Sequence, residues 1–122
     1  MSFPSINFKK TNVEIENRLL DLMEQKLRTL EKFIGEAPTI FDVEFEKVTH
    51  HQTGNVHRVE VNLDLNGKLY RAEAVSDTFE KAIDEVRSEL DNKLRSESGK
   101  KETLLKKGGR RLKELLRFGN KS

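Results

Sequence analysis

The dipeptide Asn66-Gly67 is the feature that most constrains this chain. A two-residue type I′ hairpin turn needs φ > 0 at both central positions, and asparagine followed by glycine meets that need at low steric cost. The flanking segments complete the case. Val56–Leu65 alternates, with Val59, Val61, Leu63 and Leu65 on one side and Arg58, Glu60, Asn62 and Asp64 on the other. Lys68–Val75 continues the pattern with Tyr70, Ala72 and Ala74 on one face, the alanines being small enough for a helix to lie close. A period of two is that of a strand with one buried face. A lone hairpin is marginal in water, so its apolar face must be covered.

The covering elements are present on both sides. Upstream, Thr39–Val48 reads as a strand with Phe41, Val43 and Phe45 opposed to Asp42, Glu44 and Glu46. Ile6 and Phe8 mark a short first strand near Ser5–Lys9. Between these two lies a predicted helix over Asn17–Ile34, whose Leu20, Met23, Leu27, Leu30 and Ile34 recur at steps of three or four. Gly35 and Pro38 end it. Downstream, a second helix starts at Asp77, with Asp77 and Glu80 placed as a capping-box-like pair. Phe79, Ile83, Val86, Leu90 and Leu94 form its apolar stripe, and Ser96–Gly99 is expected to end it. The order β-α-β-β-β-α defines an α+β fold: a four-stranded sheet with two helices packed on one face, as in double-stranded-RNA-binding domains.

A chain of 122 residues fits one such domain plus a tail. We expect the domain over residues 1–98 and a basic, flexible tail over 99–122. The charges divide at the same place. The tail holds nine Lys/Arg and two acids, while the other 98 residues hold fourteen basic and nineteen acidic residues. An acidic body with a basic tail points to a polyanionic partner. Beyond the hinge Gly108-Gly109, Leu112, Leu115 and Leu116 share one helical face and Arg110, Lys113 and Arg117 the opposite one. Such a short amphipathic helix would order on a partner.

Several function classes are excluded. The chain has no cysteine, hence no disulfide and no thiolate metal site. His50 and His51 sit together in a polar loop and His57 stands alone, without the spacing a zinc site needs. There is no nucleophile elbow and no glycine-rich phosphate loop after a strand. The carboxylates fall on solvent-facing positions, where nothing separates their pKa values for acid/base work. We expect no enzyme, no cofactor, no metal and no small-molecule substrate. No apolar stretch approaches the roughly 20 residues of a membrane span, and Met1-Ser2-Phe3-Pro4 does not open a signal peptide. A cytoplasmic protein, monomeric when free and without a membrane partner, is the expectation.

The positive reading is RNA binding. Each Lys or Arg that meets a phosphate releases counterions, so the tail residues Lys100, Lys101, Lys106, Lys107, Arg110 and Arg111 supply salt-sensitive attraction. In the body the candidates are Arg18, Lys26, Arg28 and Lys32 on the first helix, Lys47 at a strand end, and Arg87, Lys93 and Arg95 on the second helix. The plainer explanation for the last group is helix-surface ion pairing, since Asp84, Arg87, Asp91 and Arg95, and Glu89 with Lys93, are spaced for it. Double-stranded-RNA-binding domains open their last helix with lysines. Here Asp77, Glu80 and Asp84 stand in that place, which disfavours generic duplex binding.

Glu46-Lys47-Val48-Thr49-His50, and Arg71-Ala72-Glu73-Ala74 followed by Asp77-Thr78-Phe79-Glu80-Lys81-Ala82-Ile83-Asp84, resemble signature segments of the bacterial ribosome hibernation promoting factor and ribosome-associated inhibitor family. Asn12-Val13-Glu14-Ile15, and Lys26 with Leu30-Glu31-Lys32-Phe33, fit as well. The resemblance spans about residues 5–95. It implies a protein that lodges in the small-subunit decoding region, across the tRNA and mRNA paths, and inhibits translation by occupancy. It implies Lys26, Lys32 and Lys47 as contacts to ribosomal RNA. The last helix departs from the pattern, with Glu89 and Asn92 where the family usually has basic residues. The family's long form carries a further domain that pairs two ribosomes, and a tail ending at Ser122 is too short for it. Two other classes compete: a ribosome-assembly or general structured-RNA-binding protein, and an interaction module whose leucine-bearing tail docks on a protein groove or an acidic membrane.

Overall fold

The computed structural model describes residues 3–48 and 55–106, with side chains described as far as residue 98. Four strands and three helices alternate as β1 (Ser5–Thr11), α1 (Asn17–Arg28), α2 (Glu31–Ile34), β2 (Thr39–Lys47), β3 (His57–Leu65), β4 (Lys68–Ser76) and α3 (Phe79–Lys106). The sheet order is β1-β2-β3-β4. β1 runs parallel to β2, and the other two pairings are antiparallel. The result is the expected α+β arrangement with a mixed sheet.

The Asn66-Gly67 turn has φ of 54° and 88°, both left-handed as a type I′ turn requires. Its geometry sets the register: Leu65 faces Lys68, and every later pair follows, so that Glu60 faces Glu73 and Arg58 faces Val75. The turn is tied back to the sheet by the Asn66 N–H, which donates to the Pro38 carbonyl at 2.7 Å. At the other end of the fold, Asn12 takes a left-handed conformation and redirects the chain from β1 towards α1.

One face of the sheet is the core. Phe41, Val43 and Phe45 of β2, Val59, Val61 and Leu63 of β3, and Ala72 and Ala74 of β4 are buried, together with Met23 and Leu27 of α1, Ile34 of α2 and Ile83, Val86 and Leu90 of α3. The aromatic rings join three strands to the start of α3. Phe8 stacks on Phe45, which meets Phe79 edge-on at 5.6 Å, and His57 meets the same Phe79 ring at 4.8 Å. Truncating a fully buried residue such as Leu27 would cost about 2–5 kcal/mol, because the close-packed surroundings cannot collapse into the space.

Four details differ from the sequence reading. The helix expected over Asn17–Ile34 is two helices, broken at Thr29 and Leu30. The Thr29 hydroxyl donates to the Lys26 carbonyl at 2.6 Å, and the Thr29 and Leu30 N–H groups reach back three residues to Lys26 and Leu27. That tightening ends the α-helical ladder. The buried face of α1 is also rotated by one residue at its start, with Ile15 and Leu19 buried in place of Leu20. At the entry to α3, the cap is Thr78, not Asp77: the Lys81 N–H donates to the Thr78 hydroxyl at 3.1 Å, while Asp77 pairs with the Lys81 ammonium at 3.2 Å. Finally, α3 does not end at Ser96–Gly99 but runs to Lys106. One glycine costs a helix about 1 kcal/mol, and the strong helix formers after Gly99 outweigh it. Lys100, Lys101 and Lys106 therefore lie on helical backbone. The chain divides into two compact units, Met1–Asp91 and Asn92–Ser122. The expected hinge at Gly108-Gly109, the amphipathic helix beyond it, and the loop holding His50 and His51 lie outside the described residues.

Candidate nucleic-acid interface

The two surfaces of the first unit differ in how their charges are arranged. On the open face of the sheet the registers align Glu44, Glu60 and Glu73 in a single row across β2, β3 and β4. Three like charges in adjacent cross-strand positions would repel. Arg58 answers them from the neighbouring row. Its guanidinium bonds Glu46 at 2.9 Å, Glu60 at 2.8 Å and Glu44 at 3.4 Å, and also reaches Glu73. Arg71 supports Glu60 from the opposite row. The side chain of Arg58 is only 15% exposed and that of Glu60 12%, so these charges are shielded from water and depend on one another. Burial disfavours the charged form of Glu60, but hydrogen bonds from Arg71 and Arg58 outweigh it and hold the carboxyl below the usual carboxylate range. Asp42, Glu44, Glu46 and Asp64 extend this face as predominantly anionic. It is poorly suited to a polyphosphate.

On the helical side, α1, α2 and α3 up to Asp91 hold six cations among eight carboxylates. α1 and α3 are stitched together by Arg18 to Glu80 at 2.8 Å, Lys26 to Asp84 at 3.0 Å, and the Arg87 guanidinium donating to the Thr29 hydroxyl at 2.9 Å. The hydrogen bond from Arg18 is the first cause holding Glu80 below its ordinary range, and Glu80 in turn raises Arg18. Arg28 pairs with Glu24 one turn earlier at 2.8 Å and stacks over the Phe3 ring at 5.0 Å. Lys32, on α2, lies over the Phe33 ring at 5.3 Å. Lys47 is exposed at the end of β2, opposite His57.

Of the sequence-predicted residues, Arg87 reaches the Thr29 hydroxyl at the end of α1 and Lys26 reaches Asp84 of α3, while Arg28 turns to Glu24 and the Phe3 ring and Lys32 lies on α2. Lys93 and Arg95 are exposed on α3 in the second unit. Lys100, Lys101 and Lys106 continue that helix, and Lys107, Arg110 and Arg111 lie outside the described residues. The ion pairing foreseen within α3 is replaced, for Asp84, by a partner on α1. Sequence reasoning missed Thr29 and the cross-helix roles of Glu80 and Asp84. Periodicity locates the apolar stripe of each helix but not which polar residues meet across two helices.

Comparison with known proteins decides the family. Residues 6–102 match the family described as Sigma 54 modulation protein / S30EA ribosomal protein. The chain belongs to this family. A curated relative from Mycobacterium tuberculosis, named Ribosome hibernation promotion factor, is 34% identical over 91 residues, covering 74% of this chain and 41% of the relative. The chain thus spans less than half of that relative's length. Among solved structures, a ribosomal subunit interface protein from Coxiella burnetii superposes with a TM-score of 0.62 at 23% identity, over 77% of this chain and 97% of that one. At that identity the likeness speaks for the fold. The N-terminal domain of Protein Y from Thermus thermophilus gives a TM-score of 0.60 at 25% identity, over 74% of this chain and 97% of that domain. Both structures share this chain's fold over nearly their full length.

Proposed function

We propose that this chain is a ribosome hibernation factor that binds the small subunit at the decoding region and blocks translation by occupying the tRNA and mRNA paths. The observation that carries the reading is the family match over residues 6–102, joined by a relative whose name is Ribosome hibernation promotion factor. The placement of the candidate cations supports it. The helical side presents Lys26, Arg28, Lys32 and Arg87, while the acidic open face of the sheet is turned to other surroundings. Lys26, Lys32 and Lys47 are the central contacts to ribosomal RNA in this reading. Arg28, Arg87, Lys93 and Arg95 stand beside them. Lys100, Lys101 and Lys106, with Lys107, Arg110 and Arg111, add long-range attraction. The factor acts in the cytoplasm by steric occupancy, not by chemistry. Among the described residues no helix is long and apolar enough to cross a membrane.

The test is co-sedimentation with purified bacterial small subunits and whole ribosomes at low salt, paired with a cell-free translation assay. Binding with loss of translation is the expected result. Failure to bind ribosomes at low salt overturns the reading. Equal binding to free structured RNA and to ribosomes would point instead to a ribosome-assembly or general RNA-binding protein.

A further inference from the structure

The pairs that stitch α1 to α3 raise a question that the proposed contacts leave open. A protein that must find one site among abundant cellular RNA gains nothing from cations that grip any phosphate. Yet Arg18 and Lys26 sit eight residues apart on α1, about 12 Å along its axis, and each is held by a carboxylate of α3. Glu80 and Asp84 are one helical turn apart, so both face α1 together. These pairs are surface pairs: Asp84 is 62% exposed and Glu80 46%. Each therefore contributes little to stability. Their larger effect falls on a competing anion, which must displace a carboxylate before it can use the cation.

We propose that Glu80 and Asp84 are specificity-determining residues, carboxylates that occupy Arg18 and Lys26 in the free protein and yield them only to a phosphate array that engages both cations at once. The inference rests on the reading that the helical side binds RNA. A single phosphate, or a duplex that presents its phosphates at another spacing, exchanges one ion pair for another and adds little. A surface shaped to meet both cations gains two charge-assisted contacts in one event. Discrimination then arises from what generic RNA loses, not only from what the correct site adds.

The experiment compares the full chain with the Glu80→Gln/Asp84→Asn double variant, using fluorescence polarisation on a generic RNA duplex and sedimentation with bacterial small subunits. A second double variant, Asp21→Asn/Glu85→Gln, removes the same charge from exposed acids on the same two helices. Circular dichroism and the thermal midpoint confirm that all three are folded. The Glu80/Asp84 variant should gain about tenfold in duplex affinity. Its plot of log affinity against log salt should steepen by about two units, one for each released cation. Small-subunit affinity should change by much less, so the ratio between the two ligands collapses. Adding Lys26→Ala to the variant should remove about half of the gain. The proposal is overturned if duplex affinity stays within about twofold of the parent, or if the Asp21/Glu85 control gains as much, since the effect would then be bulk charge. Should the parent and all variants fail to bind small subunits, the underlying RNA-binding reading fails and the inference goes with it, an outcome distinct from unchanged duplex affinity with intact ribosome binding.

Discussion

Arg58 carries more of the fold's electrostatics than any other single side chain described above, because Glu44, Glu46, Glu60 and Glu73 all converge on it. Replacing it with glutamine keeps some hydrogen bonding but removes the charge, leaving a row of glutamates to repel one another at partial burial. We expect Arg58→Gln to cost about 1–3 kcal/mol, less than a fully buried pair because water still reaches part of the cluster. A lowered urea midpoint with an unchanged slope checks it. The same cluster sets a pH dependence. The folded-state pKa of Glu60 lies below its ordinary value, so its ionised form contributes stability at neutral pH. That contribution is complete above the unfolded value of about 4.3 and is lost as pH falls through the lower folded value. Urea midpoints measured from pH 7 down to about pH 3 should therefore fall most steeply below about pH 4. Glu60→Gln should flatten part of that fall, and an unaltered profile would count against it.

At the scale of elements, the start of α3 separates two residues that look interchangeable in the sequence. Thr78 supplies the capping oxygen and Asp77 does not. Thr78→Ala should cost about 1 kcal/mol, and Asp77→Ala distinctly less, as read by thermal unfolding of the two variants side by side. Further along, Gly99 sits inside α3. Gly99→Ala should raise far-UV helicity and add about 1 kcal/mol to the helix, whereas Gly99→Pro should shorten it. These positions also show what was legible beforehand. Strand alternation and the Asn66-Gly67 turn fixed the hairpin register by local chemistry alone, and with it the facing of Glu60 and Glu73 and the diagonal placement of Arg58 and Arg71. That much of the open face could be read from residue spacing. The break at Thr29 could not, because a hydroxyl that turns onto its own helix carbonyl leaves no trace in the apolar period. The cross-helix pairs of Lys26 and Arg18 were equally hidden, since they depend on how α1 and α3 lie against one sheet. The continuation of α3 is hidden for a simpler reason: Ser96–Gly99 has the composition of a helix end, and the helix formers after it outweigh that signal.

At the scale of the molecule, both sides of the first unit hold more carboxylates than cations, six cations against eight carboxylates on its helices. Orientation on a phosphate-rich surface therefore rests on where individual cations are placed, not on a net field of one side. Charge lost from the two sides should then have unequal effects. The triple variant Lys26→Ala/Lys32→Ala/Lys47→Ala removes three of the proposed phosphate contacts. The double variant Lys9→Ala/Arg71→Ala removes cations from the open face of the sheet. If binding to small subunits is oriented as proposed, the triple variant should reduce the slope of log affinity against log salt by about three units, close to one per contact. Between about 50 and 200 mM salt its affinity should change far less steeply than that of the parent. The double variant should leave the slope unchanged and alter affinity only slightly, through net charge. Equal loss per cation from the two variants would mean that the chain binds as an undirected polycation. The helical side would then have no special claim to the site.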